Sequence, residues 1–181
     1  MGFVYSCLVL VIFVYRYVAG LLLRALRGRR WDEVDETLEP TVTIIVPMFN
    51  EGQAIVETLE SLVHVRYPRS KLEIVCVDDG SRDDSLAHAQ RVARASHGRL
   101  RVVQNPRNLG KRLSILHATR EAKGEIIVTV DSDVVVEPDA IREIVRRFTD
   151  ERIAAVGGWV DVRNKHDNWL TRMQAVKYWY S

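Results

Sequence analysis

Asp131-Ser132-Asp133 closes the apolar run Ile126–Val130. Two carboxylates one residue apart at a strand end offer hard oxygen ligands to one divalent cation, Mg²⁺ or Mn²⁺, and a diphosphate can complete the shell. Asp78-Asp79-Gly80-Ser81 closes a second apolar run, Leu72–Val77. There a carboxylate can accept a hydrogen bond such as the N3–H of a uracil ring, while Gly80 supplies a positive φ. Gly110-Lys111-Arg112 opens a helical stretch, so backbone N–H groups and two cations meet where an anion binds well. Pro47-Met48-Phe49-Asn50-Glu51 follows a third, β-branched run. Taken singly, each set also reads as an acidic turn, a tight turn or a solvated helix end. Together they combine carboxylates with a Gly-Lys-Arg loop, which suits a ligand carrying both a phosphate and a divalent metal.

These clusters need elements to hold them. From Thr41 onward the chain alternates strand and helix patterns. Thr43–Val46 is a short β-branched run closed by Pro47, and residues 51–63 carry Ile55, Leu59, Leu62 and Val63 at helical spacing. Leu72–Val77 is the second expected strand, and residues 84–96 form a helix ending near Gly98. Leu100–Val103 is the third strand, residues 111–122 a helix stopped by Gly124, and Ile126–Val130 the fourth strand. Pro138 marks a helix start, with Ile141, Ile144, Val145 and Phe148 following at helical spacing. Ile153–Val156 is the fifth expected strand. Strands separated by single helices pair in parallel with right-handed crossovers, which gives an open α/β sheet with helices on both faces. In such sheets ligands bind beyond the carboxyl ends of the strands, where all four clusters fall.

Composition narrows the rest. The 181 residues suffice for one packed domain and a short appendage, and 47% hydrophobic content excludes wholesale disorder. Net charge is +2, from 26 Lys+Arg against 24 Asp+Glu, which gives no argument for nucleic acid. Two cysteines, Cys7 and Cys76, make neither a disulfide framework nor a metal site, and a cytosolic, reducing location fits them. No Gly-x-Gly-x-x-Gly follows the first strand and no Gly-x-x-x-x-Gly-Lys-Ser/Thr occurs, so neither a dinucleotide fingerprint nor a P-loop is present.

The first 30 residues differ. From Gly2 to Leu23 the only charge is Arg16, and the length matches the roughly 20 residues that cross a bilayer core. No Lys or Arg precedes the run, while Arg24, Arg27, Arg29 and Arg30 follow it. A signal peptide has the reverse charge order. Residues 1–30 are therefore expected to be a membrane anchor with a basic, cytoplasmic flank. Arg16 is its costly member, at about 2.5–3.5 kcal/mol unless it snorkels or faces another helix. Residues 31–40 read as a polar, acidic linker and residues 41–181 as the ligand-binding domain.

The order Val46-Pro47-Met48-Phe49-Asn50-Glu51, Val77-Asp78-Asp79-Gly80-Ser81, Asn108-Leu109-Gly110-Lys111-Arg112, Val130-Asp131-Ser132-Asp133 resembles the inverting family-2 glycosyltransferases of the GT-A fold. Val156-Gly157-Gly158, Asp161 to Lys165, Asn168-Trp169-Leu170 and Tyr178-Trp179 are similar to hyaluronan synthases, chitin synthases and nodulation-factor chitooligosaccharide synthases. The resemblance implies a UDP-sugar donor, a polysaccharide or oligosaccharide acceptor, and a place in the plasma membrane with the domain facing the cytosol. It implies that Asp78 or Asp79 holds the uracil, with Pro47, Asn50 and Glu51 of the first loop nearby. Lys111 and Arg112 would lie near the diphosphate. Asp131 and Asp133 would hold the metal, with Asp131 and Ser132 also lining the donor site.

The sequence departs from that pattern in one respect. The family's base, in a Gly-Asp-Asp or Thr-Glu-Asp motif, and its later Gln-x-x-Arg-Trp motif do not occur here; Gln174 leads only into Ala175-Val176-Lys177. The expectation is a donor-binding half, inactive by itself, from a fragment or a truncated gene product. The alternatives are a transferase acting on a lipid phosphate and a non-catalytic UDP-binding protein. In the tail, Trp169, Met173, Val176 and Tyr180 recur at helical spacing. The segment after Asn164 is expected to pack poorly and expose aromatics, with Trp159 or Trp169 as an acceptor platform and Arg163 and Lys165 near polymer carboxylates or the diphosphate.

Overall fold

The computed structural model describes residues 34–162 and 166–173, together with Cys7, residues 10–12, 14–15, 18–20 and Leu22. The β-branched run near the start forms β1 (Val42–Met48), whose seven residues are all buried. After it come α1 (Ala54–Val63), a 3₁₀ turn at Arg69–Lys71, β2 (Leu72–Asp78), α2 (Ser85–Ala95) and β3 (Leu100–Gln104). Then come α3 (Lys111–Glu121), β4 (Ile126–Thr129) and α4 (Ala140–Val145). The four strands order as β3-β2-β1-β4, and all three pairings are parallel. Their carboxyl ends therefore share one edge.

The two central strands, β1 and β2, are buried on both faces because helices cover both, while β3 at one edge carries Arg101 and Gln104. The larger core packs Ile44, Val46, Ile74 and Cys76 of the sheet against Ile55, Leu59, Leu62, Ala89 and Ile141. The smaller packs Ile45, Val75 and Val77 against Ala118, with Ile115 beside it. Continuous apolar runs are what a two-sided parallel sheet requires.

Pro47 does not end β1. The strand runs on to Met48 beside β2, while its pairing with β4 stops at Ile45 opposite Thr129. The missing N–H thus falls where β4 no longer needs a partner. Helix α1 starts at Ala54 rather than at 51, because Asn50 and Gly52 both have φ of 55° and hold the chain out of the helix. Helix α4 starts at Ala140, two residues beyond Pro138, and ends at Val145 short of Phe148.

The expected fifth strand is not formed: residues 153–156 lie in irregular backbone. Ile153 and Val156 instead line a cavity of about 650 Å³ with Ile144 of α4 and Trp159. Gly157 and Gly158 follow at once, and the segment pairs with no strand among the described residues. Part of the expected linker is tied to the domain. The Asp35 N–H donates to the Arg146 carbonyl at 2.8 Å, Arg146 pairs with Glu36 at 2.6 Å, and the Tyr67 hydroxyl donates to the Pro40 carbonyl at 2.6 Å.

The described residues from Cys7 to Leu22 have helical backbone, and those of large apolar type are exposed. No helix of the described residues is long and apolar enough to cross a membrane. Most of the expected anchor, including Arg16 and the basic run Arg24–Arg30, lies outside the described residues, as do Arg163, Asn164, Lys165 and everything from Gln174 onward.

Candidate donor site at the carboxyl edge of the sheet

Strand β2 ends in two carboxylates with different surroundings. Asp79 Oδ1 accepts from Asn105 Nδ2 at 2.8 Å and from the Leu109 N–H at 2.9 Å, and Oδ2 accepts from the Gly110 N–H at 2.8 Å. Burial pushes the Asp79 carboxyl up, but the donors of Leu109, Asn105, Ser114 and Gly110 outweigh it and hold it below its ordinary value. Asp79 therefore braces the loop that follows β3. Asp78 is fully buried; its Oδ1 accepts from the Ser81 N–H at 3.1 Å, while its Oδ2 is buried with no hydrogen-bond partner. A buried carboxylate oxygen left without a donor is costly and rare.

The loops are stitched together around this pair. Gly80, at φ +76°, passes so close to the next loop that a Cβ would sit 2.9 Å from the Arg107 carbonyl carbon and the Asn108 nitrogen. Asn50 donates its N–H to Ser81 Oγ at 3.0 Å and accepts from the Arg82 N–H at 2.9 Å. Ser85 Oγ accepts from the Glu51 and Gly52 N–H groups, both at 2.8 Å, and donates to Asp83 Oδ1 at 2.5 Å. Asp83 Oδ2 also accepts from the Gly52 N–H at 3.0 Å. The hydrogen bonds from Ser85, first of all, hold the Asp83 carboxyl below its ordinary value.

Beyond β4, Ser132 is buried and points inward. Its hydroxyl donates to Glu51 Oε1 at 2.7 Å, and its carbonyl accepts from Thr58 Oγ1 at 2.8 Å. Asp131 and Asp133 flank it and are exposed. Lys111 at the start of α3 reaches Asp131 Oδ1 at 2.6 Å, both side chains being 58% exposed. Such an exposed pair contributes only about 0–1 kcal/mol, so its position matters more than its stability. Arg112 is exposed beside it.

Among the described residues no group of three or more His, Cys, Asp or Glu side chains could cage a metal. Two exposed carboxylates flanking a pinned serine do fit a small hard cation that draws its remaining ligands from phosphate and water.

The expected residues thus divide. Asn50, Glu51, Asp78, Lys111, Asp131, Ser132 and Asp133 come together along the carboxyl edge. Pro47 is buried within β1, and Asp79 is saturated by its own loop. Glu51 spends its side chain on Ser132. The sequence reading does not single out Asp83, Ser85, Ser114 or Thr58, and it names Asn105 only as part of the polar stretch after the third strand. Asp83 precedes α2 and Ser85 opens it, and an Asp-x-Ser at a helix start is the usable signal. A hydroxyl such as Thr58 inside an amphipathic helix carries none.

Comparison with known proteins settles the family. The glycosyl transferase family 2 profile matches residues 43–181. The chain belongs to glycosyl transferase family 2. An N-acetylglucosaminyltransferase of Rhizobium leguminosarum bv. viciae is 36% identical over 148 residues, covering 81% of this chain. The chain spans 34% of that relative's length. Among solved structures, the mannosyltransferase PcManGT of Pyrobaculum calidifontis, in complex with GDP-Man and Mn²⁺, superposes with a TM-score of 0.65 at 32% identity. That match covers 78% of this chain and 43% of the mannosyltransferase. S. aureus TarS 1–349 in complex with UDP-GlcNAc gives a TM-score of 0.51 at 31% identity, over 57% of this chain and 29% of that TarS chain.

Proposed function

We propose that this chain carries the donor-binding part of an inverting, metal-dependent transferase that takes N-acetylglucosamine from UDP-N-acetylglucosamine to a growing oligo- or polysaccharide. The observation that carries the reading is the unpartnered Asp78 Oδ2, buried at the end of β2 on the edge that also holds Lys111, Asp131 and Asp133. A uracil N3–H is a donor of the right kind for that oxygen, and its arrival removes the cost of leaving it bare. Asp79 cannot serve, since its oxygens already accept from Asn105, Leu109 and Gly110. Lys111 stands close enough to Asp131 to share a diphosphate held there. Asp131 and Asp133 would hold Mg²⁺ or Mn²⁺, which when bound acts as a Lewis acid on the departing diphosphate. The names of the curated relatives support the sugar, and the Mn²⁺ complex of the mannosyltransferase supports the metal. The apolar run ahead of Arg24 supports a place at the plasma membrane with the domain on the cytosolic side.

Calorimetry on the full chain tests this. UDP and UDP-N-acetylglucosamine should bind in the presence of Mn²⁺ and weaken with EDTA. Asp78→Asn, which can present an N–H where the uracil N3–H must donate, should cost about 1.4–3 kcal/mol, roughly 10- to 150-fold in Kd. Preference for GDP-mannose over the uridine nucleotide, or equal affinity with EDTA and Mn²⁺, would sink the corresponding part.

A further inference from the structure

Glu51 lies in the first loop, yet its bonds run to two other loops. Its backbone N–H is held by Ser85 Oγ at 2.8 Å, and Ser85 in turn is held by Asp83. Its carboxylate accepts from Ser132 Oγ at 2.7 Å, and Ser132 is the middle residue of Asp131-Ser132-Asp133. Thr58 of α1 holds the same residue from the other side, donating to the Ser132 carbonyl at 2.8 Å in a buried bond. Ser132 is therefore clamped at both its side chain and its carbonyl. With the middle residue drawn inward, its two neighbours are turned to the exposed side of the turn.

We infer that Glu51 is a positioning residue: it holds no donor group itself but fixes the Asp131-Ser132-Asp133 turn through Ser132, and so couples the nucleotide loops to the divalent-cation carboxylates. This rests on the metal-binding reading of Asp131 and Asp133. Partners that orient metal ligands without touching the metal are a general requirement of such sites. A sequence reading puts Glu51 among the donor contacts because it follows Asn50. The bond to Ser132 gives it the other task.

The chemistry of the hydrogen bond supplies the test. Ser132 is the donor, so the acceptor needs an oxygen in place and no charge. Glu51→Gln keeps an acceptor oxygen, whereas Glu51→Ala and Ser132→Ala remove the bond from either end. The readout is Mn²⁺ binding to the full chain in the presence of UDP, followed by electron paramagnetic resonance of free and bound Mn²⁺. Glu51→Ala and Ser132→Ala should each weaken Mn²⁺ by about 10-fold, at the low end of the range for partners that orient a ligand. The double variant should be no weaker than either single one, because both remove one bond. Glu51→Gln should stay within about threefold of the parent protein, a loss smaller than that for removing the bond.

Thermal melting identifies a variant that does not fold. If Glu51→Ala is such a variant, Glu51→Gln against Ser132→Ala and Thr58→Val carries the same comparison. A Glu51→Gln loss as large as that of Glu51→Ala would make Glu51 a metal or donor ligand and overturn the inference. So would multiplicative losses in the double variant, or an Ala variant indistinguishable from the parent. A parent chain that binds UDP but no Mn²⁺ would remove the metal reading and the inference together. Parent binding with no effect of Glu51→Ala removes the inference alone.

Discussion

Asp79 accepts from Asn105, Leu109 and Gly110, so its charge bears on folding before it bears on any ligand. Asp79→Asn keeps one acceptor oxygen but turns an amide N–H toward a backbone N–H. The expected cost is about 1–3 kcal/mol, read from urea denaturation. The acid limb should change with it. The folded-state value of this carboxyl is lowered, so its contribution is full above the ordinary 3.8 and is lost as pH falls below that, through the folded value. The variant should therefore lose less stability than the parent as pH falls below about 4. An unchanged acid limb would mean that Asp79 keeps no depressed titration in the folded protein. Asp78, its neighbour, belongs to binding: the same Asp→Asn change there should be read mainly in nucleotide affinity.

Turns and strands, not only side chains, decide whether these groups meet. Gly80 and Gly98 both have positive φ, +76° and +82°, but a Cβ on Gly80 meets backbone at 2.9 Å while one on Gly98 meets nothing within 4 Å. Gly98→Ala should cost only the backbone conformation, about 1 kcal/mol. Gly80→Ala adds a clash between two loops and should exceed it by at least about 1 kcal/mol, since neither backbone can shift without moving Asp78 or Asn108. Equal melting temperatures for the two variants would show that the loops separate freely. Much at this scale was legible in advance. The apolar runs at 43–46, 72–77, 100–103 and 126–130 became four parallel strands, each bound within two residues of the expected one, and their carboxyl ends gathered the four polar clusters. What was not legible depends on partners distant in sequence. Asp78 and Asp79 are identical by type, and only the loop at 105–110 tells them apart. Residues 153–156 have strand-like composition, but a strand exists only with a neighbour to pair with. Glu51 read as a ligand contact because nothing in its own segment points to Ser132, 81 residues away.

At the scale of the whole molecule, the large apolar side chains that are at least half exposed lie, among the described residues, in two places: the N-terminal residues and the segment after α4. Leu10, Val11 and Tyr15 are 63, 64 and 72% exposed, and Trp159 and Trp169 are 61 and 74% exposed. The first patch is followed by Arg24, Arg27, Arg29 and Arg30, so the proposed anchor should keep the chain in the membrane fraction through high salt and alkaline carbonate. Release by carbonate would leave at most a peripheral association. The second patch has no such flank. From Thr149 to Val162 the backbone is irregular, and among the described residues Leu170 and Met173 are exposed beside Trp169. Local opening is easiest where few apolar contacts and few backbone bonds must be broken, and a protease needs such an opening to bind an extended strand of chain. The four-stranded unit from Val42 to Val145 has both cores and all the ladder bonds; the segment beyond it has exposed aromatic side chains of the kind chymotrypsin selects. Brief chymotrypsin treatment of the full chain should therefore cut first at Trp159 or Trp169, before any site between 41 and 148, and mass spectrometry of the fragments locates the cut. Adding UDP with Mn²⁺ should slow cutting within 41–148 without protecting Trp169, because the ligand tightens the sheet edge and not the tail. Early cleavage at Phe49, just past the end of β1, would mean that the loops at the carboxyl edge open more readily than the tail, and that the donor site is assembled only when the nucleotide arrives.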